Sequence, residues 1–241
     1  MAHELTALVT GGARRVGRAI VQELVRCGFS VAFTYRQSQR SAQELAATLE
    51  GKATPLYCQL EDPESRRELV KAVAGLFPSL SALVNNAAVF PRTPLSELTL
   101  KSFRQTMAVN LEAPLFLCRD LAGMLQKARG VIVNVADIYA FVPLRDFTAY
   151  AVSKAGLVAL TRQLAVELAP EVRVNAVAPG IAVFPEDYDD ATRKRLVERT
   201  LLKQPGSPEE IARTVRFLIL EAPTVTGQVL AVDGGRSLNL A

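Results

Sequence analysis

The chain opens with a strand, a glycine-rich turn and a helix, and everything after it repeats the alternation of strand and helix. Residues 6–10 are an apolar run that favours a strand, GGARRVG follows at 11–17, and an amphipathic helix continues to about Arg26. Such a turn presents backbone N–H groups at a helix N-terminus, where the donors and the helix dipole stabilise a pyrophosphate. The segment predicts a dinucleotide site, although glycines without the strict G-x-G-x-x-G spacing also suit a plain tight turn.

The remaining elements follow one another without an internal repeat or a low-complexity linker. Further strands are predicted at 30–35, 53–58, from 82, and at 131–135, 172–177 and 228–232, and helices at 41–50, 63–76, 102–126, near 150–169 and at 208–220. Asp62 before Pro63 is typical of an N-cap followed by proline at the first helical position. Seven strands alternating with helices predict one α/β domain over residues 1–241, with a doubly wound parallel sheet and helices on both faces.

Composition limits where such a chain can work. At 241 residues and 49% hydrophobic content, it can bury one large core. No stretch approaches the ~20 apolar residues of a membrane span, and the N-terminus leaves no room for a cleavable signal. Cys27, Cys58 and Cys118 are widely separated and lie in apolar surroundings, which predicts buried free thiols in a reducing compartment. We therefore expect a cytoplasmic protein.

The charge pattern argues against two classes of partner. The net charge of +4 is spread along the chain without a basic run interleaved with aromatic residues, so nucleic acid is not expected, whereas a mild positive field favours an anionic ligand. His3, the only histidine, stands at the extreme N-terminus. This argues against Ser-His or Cys-His catalysis and against a histidine-bound metal, and no metal site is expected.

The end of the second predicted strand indicates which dinucleotide would bind. Enzymes that prefer NAD usually place an acid there for the ribose hydroxyls, whereas here Arg36 follows the strand and Ser38 comes two residues later. Arg14 and Arg15 add positive charge in the first turn. The two clusters favour the 2′-phosphate of NADP(H), the alternative being that these arginines are solvated loop charges.

Two loops at strand ends are candidate ligand-binding segments. The fourth strand runs into NNAAVFP at 85–91, where small residues allow a flat ligand to approach and side-chain amides can bind it, although an ordinary asparagine-stabilised turn fits too. The charged segment PEDYDDATRKR at 185–195 has no obvious core face, and an irregular segment at this position is a usual place for a substrate lid.

Tyr150 and Lys154 are the strongest candidates for chemistry. Four residues apart on a helix, they lie on one face, and a nearby ammonium stabilises a phenolate and lowers the tyrosine pKa. Tyr150 is then a plausible general acid or base. Taken alone, the pair also fits two ordinary surface residues. Asn110, inside the helix predicted at 102–126, can hydrogen-bond a kink or a water, or simply face solvent.

Several motifs together resemble the short-chain dehydrogenase/reductase family over essentially the whole chain. They are TGGARRVG, NNAA, Asn110, YAVSK, RVNAVAPG and TGQVLAVDGG, in this order. The resemblance implies a Rossmann-fold, NAD(P)-dependent oxidoreductase. In it Tyr150 is the proton donor, Lys154 holds the nicotinamide ribose and lowers the tyrosine pKa, and Asn110 supports a water-linked proton path. It implies cofactor contacts from Gly11, Arg14, Arg15, Val16, Gly17, Tyr35, Arg36, Ser38, Leu60, Asn86, Ala87, Ala88, Tyr150, Lys154, Pro179, Gly180 and Ile181.

Three positions depart from the family pattern. Arg15 replaces the middle glycine of the first motif, and Ala88 replaces the last glycine of N-N-A-G. Asp137 stands where the family carries its catalytic serine. A serine hydroxyl donates to a substrate carbonyl, whereas an ionised aspartate only accepts, so Asp137 suits a substrate that offers N–H donors.

With these departures the chain resembles the pteridine reductase branch of the family. There a flat pterin ring is held between the nicotinamide and a phenylalanine, which Phe90 matches, and an aspartate and tyrosine relay a proton while hydride goes to a C=N bond. Arg15 matches a branch residue that contacts cofactor phosphate and substrate. The branch often has serine after NNA and a His-Arg-Ser run for the 2′-phosphate, where this chain has Ala88 and Arg36-Gln37-Ser38. Phe90 also fits a plain core or lid residue.

The leading hypothesis is therefore an NADPH-dependent reductase of a dihydropterin or dihydrofolate. A second is an ordinary carbonyl reductase acting on a 3-oxoacyl thioester or small ketone, with Asp137 protonated or bypassed. A third, disfavoured by the intact Tyr150, Lys154 and Asn110, is a non-catalytic protein that binds the cofactor and regulates a partner. The resemblance also implies a homotetramer built through the helices near 102–126 and 150–169.

Overall fold

A single parallel sheet places the glycine-rich turn near its middle. The computed structural model describes residues 4–184 and 188–239. The strands in these residues are β1 (Thr6–Val9), β2 (Ser30–Tyr35), β3 (Ala53–Tyr57), β4 (Ala82–Asn85), β5 (Val131–Val135), β6 (Arg173–Pro179) and β7 (Val229–Val232). The seven described strands pair in parallel in the order β3-β2-β1-β4-β5-β6-β7. The predicted fold is confirmed.

Helices cover both faces of this sheet. They are α1 (Arg15–Arg26), α2 (Gln39–Thr48), α3 (Pro63–Leu76), α4 (Leu100–Met107), α5 (Ala113–Ala128), α6 (Thr148–Glu167), α7 (Asp190–Glu198) and α8 (Pro208–Leu220). Of the two larger core clusters, one joins β1 and β2 to α1, α2 and α8, and the second joins the sheet to α3, α5 and α6. The apolar faces of the helices are thus buried on opposite sides of the same strands, as in a doubly wound fold.

The strand order reverses between β1 and β4, and this point fixes where a ligand can bind. Val9, near the end of β1, pairs with Phe33 on one side and Val84 on the other. The strands β2 and β3 are added on one side of β1. The chain then crosses to the other side of β1, where β4, β5, β6 and β7 follow in order. The loops at the carboxyl ends of β1 and β4 therefore diverge and leave a crevice between them.

Local sequence signals set several boundaries. Asp62 accepts a hydrogen bond from the Glu64 N–H at 3.0 Å, so α3 begins at Pro63 as predicted. The helix predicted at 102–126 is helical, but a π turn at Ala108–Glu112 separates α4 from α5. Asn110 lies in the middle of that turn.

The charged segment predicted as an irregular lid is partly a helix, which corrects the prediction. α7 begins at Asp190 because the Asp189 carboxylate caps the Thr192 N–H at 2.8 Å. The segment has no apolar face to reveal a helix, because α7 has no buried residue. Only the cap marks where the helix begins. Residues 185–187 of the segment lie outside the described residues, as does His3.

The prediction that the three cysteines are buried free thiols is only partly correct. Cys58 and Cys118 are buried free thiols, but Cys27 is only partly buried, so the prediction of burial is wrong there.

None of the helices in the described ranges combines the length and apolar character that crossing a bilayer requires. In the same ranges, no cluster of three or more His, Cys, Asp or Glu side chains could hold a metal ion.

Candidate active site

The glycine-rich turn after β1 has a shape that requires glycine at two positions. Gly11 adopts a left-handed backbone (φ +65°), and a Cβ on Gly17 would collide with the Gly11 carbonyl oxygen. No side chain of the described residues caps the first turn of α1, so its N–H groups are left to bind an anion. This backbone fits a dinucleotide pyrophosphate.

Asn85, the last residue of β4, and Asn86 both donate their side-chain amides to protein groups. The Asn86 amide donates to the carbonyl oxygens of Thr10 (2.9 Å) and Gly11 (3.1 Å), which fastens β4 to the glycine-rich turn. The Asn85 amide donates to Asn134 Oδ1 at 2.8 Å beneath the site. Their polar groups hold the floor of the crevice in shape.

Two adjoining cavities occupy the crevice, with volumes of about 590 Å³ and 300 Å³. Of the predicted site residues, the larger is lined by Gly11, Arg14, Arg15, Val16, Gly17, Asn86, Ala87, Ala88, Phe90, Asp137, Tyr150, Lys154, Pro179, Gly180 and Ile181. The smaller is lined by Tyr35, Arg36, Ser38 and Leu60, and it shares Gly11, Arg14, Ala87 and Ala88 with the larger. The combined shape suits a long ligand that spans both cavities.

The predicted 2′-phosphate cluster divides between the two cavities. Arg14, Arg36 and Ser38 line the smaller one, whereas Arg15 lines only the larger one. The Arg36 guanidinium pairs with the Glu61 carboxylate at 2.7 Å. Arg14 and Arg36 therefore converge as predicted, but Arg15 points to the reacting end.

Arg15 has an unusual backbone. It adopts φ +52° at the position where the family carries glycine, and its Nη2 donates to the Phe184 carbonyl oxygen at 3.3 Å across the larger cavity. A residue with a Cβ is strained in this left-handed region by about 1–2 kcal/mol. The exposed guanidinium thus links the glycine-rich turn to the segment before α7.

Asp137 and Tyr150 form a hydrogen-bonded pair in the larger cavity. The Tyr150 hydroxyl donates to Asp137 Oδ2 at 2.7 Å, and Asp137 Oδ1 accepts from the Tyr139 N–H at 2.9 Å. Burial raises the pKa of the Asp137 carboxyl, against the effect of these two donors and of Lys154 and Arg236. The carboxylate comes from the turn after β5 and the phenol from α6, and they are brought together as the sequence predicted.

The tyrosine pKa moves opposite to the prediction. Burial and the charge of Asp137 raise the pKa of Tyr150 well above its ordinary value. Lys154 is buried and donates to the Val135 carbonyl oxygen at 2.7 Å, with its Nζ 5.8 Å from the centre of the Tyr150 ring. Burial lowers the pKa of Lys154 to about 8. In this structure the carboxylate, not the ammonium, dominates the environment of the phenol.

Asn110 holds a loop rather than lining either cavity. Its amide donates to the Val89 carbonyl oxygen and to Ser153 Oγ, both at 3.0 Å, and its Oδ1 accepts from the Val89 N–H at 2.9 Å. The π turn brings this side chain to the loop after β4. The side chain is thus engaged with protein groups, and its part in a water-linked proton path stays a prediction.

An aromatic cluster stands over the Asp137–Tyr150 pair. Phe90 stacks on Phe147 with ring centres 4.3 Å apart and an interplanar angle of 17°, and it meets the Tyr150 ring edge-on at 4.5 Å. Phe90 is 44% exposed and lines the larger cavity. It is therefore a cavity-wall residue, and not part of the buried core.

Sequence reasoning missed several lining residues, among them Tyr139, Phe147 and Arg236. Phe147 is the N-cap residue of α6, three residues before Tyr150, and Tyr139 follows Asp137 by two, so adjacency to the motif was an available signal. Arg236 follows the DGG motif directly. Its Nη2 donates to the Tyr139 hydroxyl at 3.2 Å, a contact between residues 97 positions apart in the sequence.

Comparison with known proteins agrees with this geometry. A family model described as Enoyl-(Acyl carrier protein) reductase matches residues 11–237. A tropinone reductase homologue of Arabidopsis thaliana is 36% identical, covering 97% of this chain and 92% of that protein. The 3-oxoacyl-[acyl-carrier-protein] reductase FabG of Aquifex aeolicus is 34% identical, covering 95% of this chain and 96% of that protein.

A similar solved structure supports the cofactor prediction. The blue fluorescent protein from a metagenomic library, solved in complex with NADPH, superposes with a TM-score of 0.89 at 34% identity and covers 96% of this chain and 97% of that one. None of the relatives named here is described as a pteridine reductase. The matched model, the relatives and the fold all point to one family of oxidoreductases, and this chain belongs to the short-chain dehydrogenase/reductase family.

Proposed function

We propose that this chain is an NADPH-dependent reductase that transfers hydride to the C=N bond of a dihydropterin or dihydrofolate. The observation that carries the proposal is the hydrogen bond from the Tyr150 hydroxyl to Asp137 Oδ2 at 2.7 Å. A carboxylate acceptor therefore stands where the family usually offers a serine donor. It complements a ring bearing N–H groups and repels a carbonyl oxygen.

The residues along the two cavities fit NADPH. The bare N-terminus of α1 and the shape of the glycine-rich turn suit the pyrophosphate, and Arg14, Arg36 and Ser38 suit the 2′-phosphate. Lys154 and the Pro179–Gly180 segment line the reacting end. When bound there, NADPH supplies the hydride.

Asp137 and Tyr150 deliver the proton that balances the hydride. The hydride adds to the ring carbon, the C=N π bond breaks, and the ring nitrogen takes a proton from the Tyr150 hydroxyl. Asp137, hydrogen-bonded to that hydroxyl, then returns a proton from solvent to the phenolate. Because burial raises the pKa of Asp137, its carboxyl takes up a proton more readily than an exposed aspartate does.

The aromatic cluster suits a flat ring. Phe147 backs one face of Phe90, so the remaining exposed part of Phe90 can take a planar substrate as the next member of the stack. This arrangement supports the predicted role of Phe90 and adds Phe147 as its backing residue.

A second candidate is a carbonyl reductase acting on a 3-oxoacyl thioester or small ketone. The relatives named above support it better than they support pterin reduction, since one of them is a 3-oxoacyl-[acyl-carrier-protein] reductase. It requires a protonated Asp137 that donates to the carbonyl oxygen. The raised pKa of Asp137 favours that protonated form, and this is the observation on its side.

A substrate panel separates the two. NADPH consumption is followed by absorbance with dihydrobiopterin, dihydromonapterin, dihydrofolate and an acetoacetyl thioester, each at the same enzyme concentration. We expect the highest kcat/KM with one of the pterins. Turnover of the thioester alone would replace the proposal by the second candidate, and tight NADPH binding without any turnover would favour a non-catalytic cofactor-binding protein.

Two broader expectations remain proposals. Homotetramer formation through α4, α5 and α6 is supported by exposed apolar side chains on the last two, among them Leu115, Val152 and Val166. A cytoplasmic location is supported by the buried free thiols of Cys58 and Cys118.

A further inference from the structure

A buried arginine close to the C-terminus reaches the proposed proton relay. Arg236 opens the 3₁₀ turn Arg236–Leu238 after β7 and is 4% exposed, yet it lines the larger cavity. The Asp233 carboxylate holds this turn by accepting from the Gly235 N–H at 2.9 Å and the Ser237 N–H at 2.7 Å. The C-terminal turn is thus built to hold the side chain in one place.

Within the described ranges, the guanidinium donates hydrogen bonds only to neutral groups. Nη2 donates to the Tyr139 hydroxyl at 3.2 Å and Nη1 to the Leu196 carbonyl oxygen at 3.1 Å, while Nε is buried with no hydrogen-bond partner in the described part of the chain. A buried cation is costly unless an anion compensates it. Among the described residues it forms no direct ion pair, so the compensating charge must act through space.

Asp137 supplies such a charge, although Lys154 acts on this carboxyl more strongly than Arg236 does. Arg236 bonds the hydroxyl of Tyr139, and the N–H of the same Tyr139 bonds Asp137 Oδ1 at 2.9 Å. One residue therefore connects the cation to the carboxylate. The positive charge of Arg236 also acts to lower the pKa of Asp137.

The groups that face Asp137 come from three elements. Its own turn contributes the Tyr139 N–H, α6 contributes the Tyr150 hydroxyl and Lys154, and the C-terminal turn contributes Arg236. Lys154 donates a hydrogen bond to the Val135 carbonyl oxygen, and burial lowers the pKa of its own amine to about 8. Guanidinium groups in general keep their charge better than buried amines do, which favours an arginine in this place.

We propose that Arg236 is a positioning residue that keeps Asp137 ionised and holds the 137–139 turn in place beside Tyr150. This inference rests on the proton-relay role of Asp137 in the proposed function. The C-terminal turn then helps to set the pH range over which the enzyme is active.

The test measures the Asp137 carboxyl directly by ¹³C NMR of protein labelled at the aspartate side chains. The signal is assigned as the one lost in Asp137→Asn. In Arg236→Gln, which keeps a polar side chain but removes the charge, we expect the Asp137 pKa to rise by about one unit. In Arg236→Lys, which keeps the charge, we expect it to stay close to the wild-type value.

Arg199→Gln is the matched control, since Arg199 lines the same cavity but is not among the charges that act on Asp137. We expect it to leave the Asp137 pKa unchanged. An unchanged pKa in a folded Arg236→Gln protein would overturn the proposal, and so would an equal rise in the Arg199→Gln control. If Arg236→Gln fails to fold, Arg236→Lys still decides, because a rise of about one unit there would remove charge as the cause.

Kinetics provide the second readout and separate this inference from the proposed function. The pH at which kcat/KM falls off on the acid side should rise in Arg236→Gln by the same amount as the NMR pKa, and Arg236→Lys should restore it. If no pterin is turned over, the proposed function fails, while the NMR titration still tests Arg236. If pterins are reduced and the NMR pKa does not move, the inference alone fails.

Discussion

The Tyr150 hydroxyl donates to Asp137 Oδ2 across 2.7 Å, so the phenol that a nearby cation was expected to acidify is instead bound to an anion. The charge of Asp137, together with burial, raises the pKa of Tyr150. A phenol with a raised pKa holds its proton firmly until hydride transfer creates a basic nitrogen. The pair is therefore suited to donating a proton only after hydride transfer has made the substrate nitrogen basic.

Asp137→Ser should convert the site to the usual family arrangement. We expect pterin turnover to fall by about 10²-fold or more, because the proton carrier is lost, and thioester turnover to stay or rise. Both activities are measured on one preparation, with NADPH affinity as the control for an intact cofactor site. Retained pterin turnover would show that Asp137 is not the proton carrier.

Lys154 should make stability depend on alkaline pH. Burial lowers its folded-state pKa from 10.5 to about 8, so folding favours the neutral amine. Its contribution to stability is complete above pH 10.5 and is lost as the pH falls through about 8. Relative to Lys154→Met, the wild-type free energy of unfolding should rise by about 2 kcal/mol between about pH 7 and pH 9.5, measured by urea denaturation. A constant difference across this range would contradict the lowered pKa.

The smaller cavity should discriminate NADPH from NADH through Arg36. Arg36→Ala should weaken NADPH binding about tenfold while leaving NADH binding unchanged, because only the 2′-phosphate needs the guanidinium. Glu61→Gln should strengthen NADPH binding several-fold, because it frees Arg36 from its 2.7 Å ion pair and removes a negative charge near the phosphate. Isothermal titration with both cofactors measures these effects. Equal losses for the two cofactors in Arg36→Ala would place the 2′-phosphate elsewhere.

The sequence predicted those parts of the fold and site that depend on local signals. The glycine-rich turn, the Asp62 cap and the four-residue spacing of Tyr150 and Lys154 are each readable within one short segment, and all three lie where expected. The contacts of Asn110 and the place of Arg236 in the site could not be predicted because their partners are distant in sequence: Val89 and Ser153 for the first, Tyr139 for the second. No periodicity reports such contacts, since they arise only after the sheet and helices pack.

Assembly should depend on the exposed apolar faces of α5 and α6. Val166 is 76% exposed, and Val166→Glu should lower the solution mass measured by light scattering, because it places a charge in the proposed interface. Leu95→Glu is the control, since Leu95 is 73% exposed but lies outside these helices. A wild-type mass equal to that of one chain would rule out the homotetramer.

Replacing Arg15 by glycine should raise the stability of the protein and weaken ligand binding. Because φ is +52° in the wild type, Arg15→Gly should raise the free energy of unfolding by about 1 kcal/mol. It should also weaken NADPH or pterin binding, since the cation over the larger cavity is lost. Arg129→Gly is the matched control: Arg129 adopts φ +50° at the end of α5 and lies away from both cavities. It should give a similar gain in urea denaturation with unchanged ligand affinity. If both variants gain stability and neither loses affinity, the arginine in the glycine-rich turn has no part in binding.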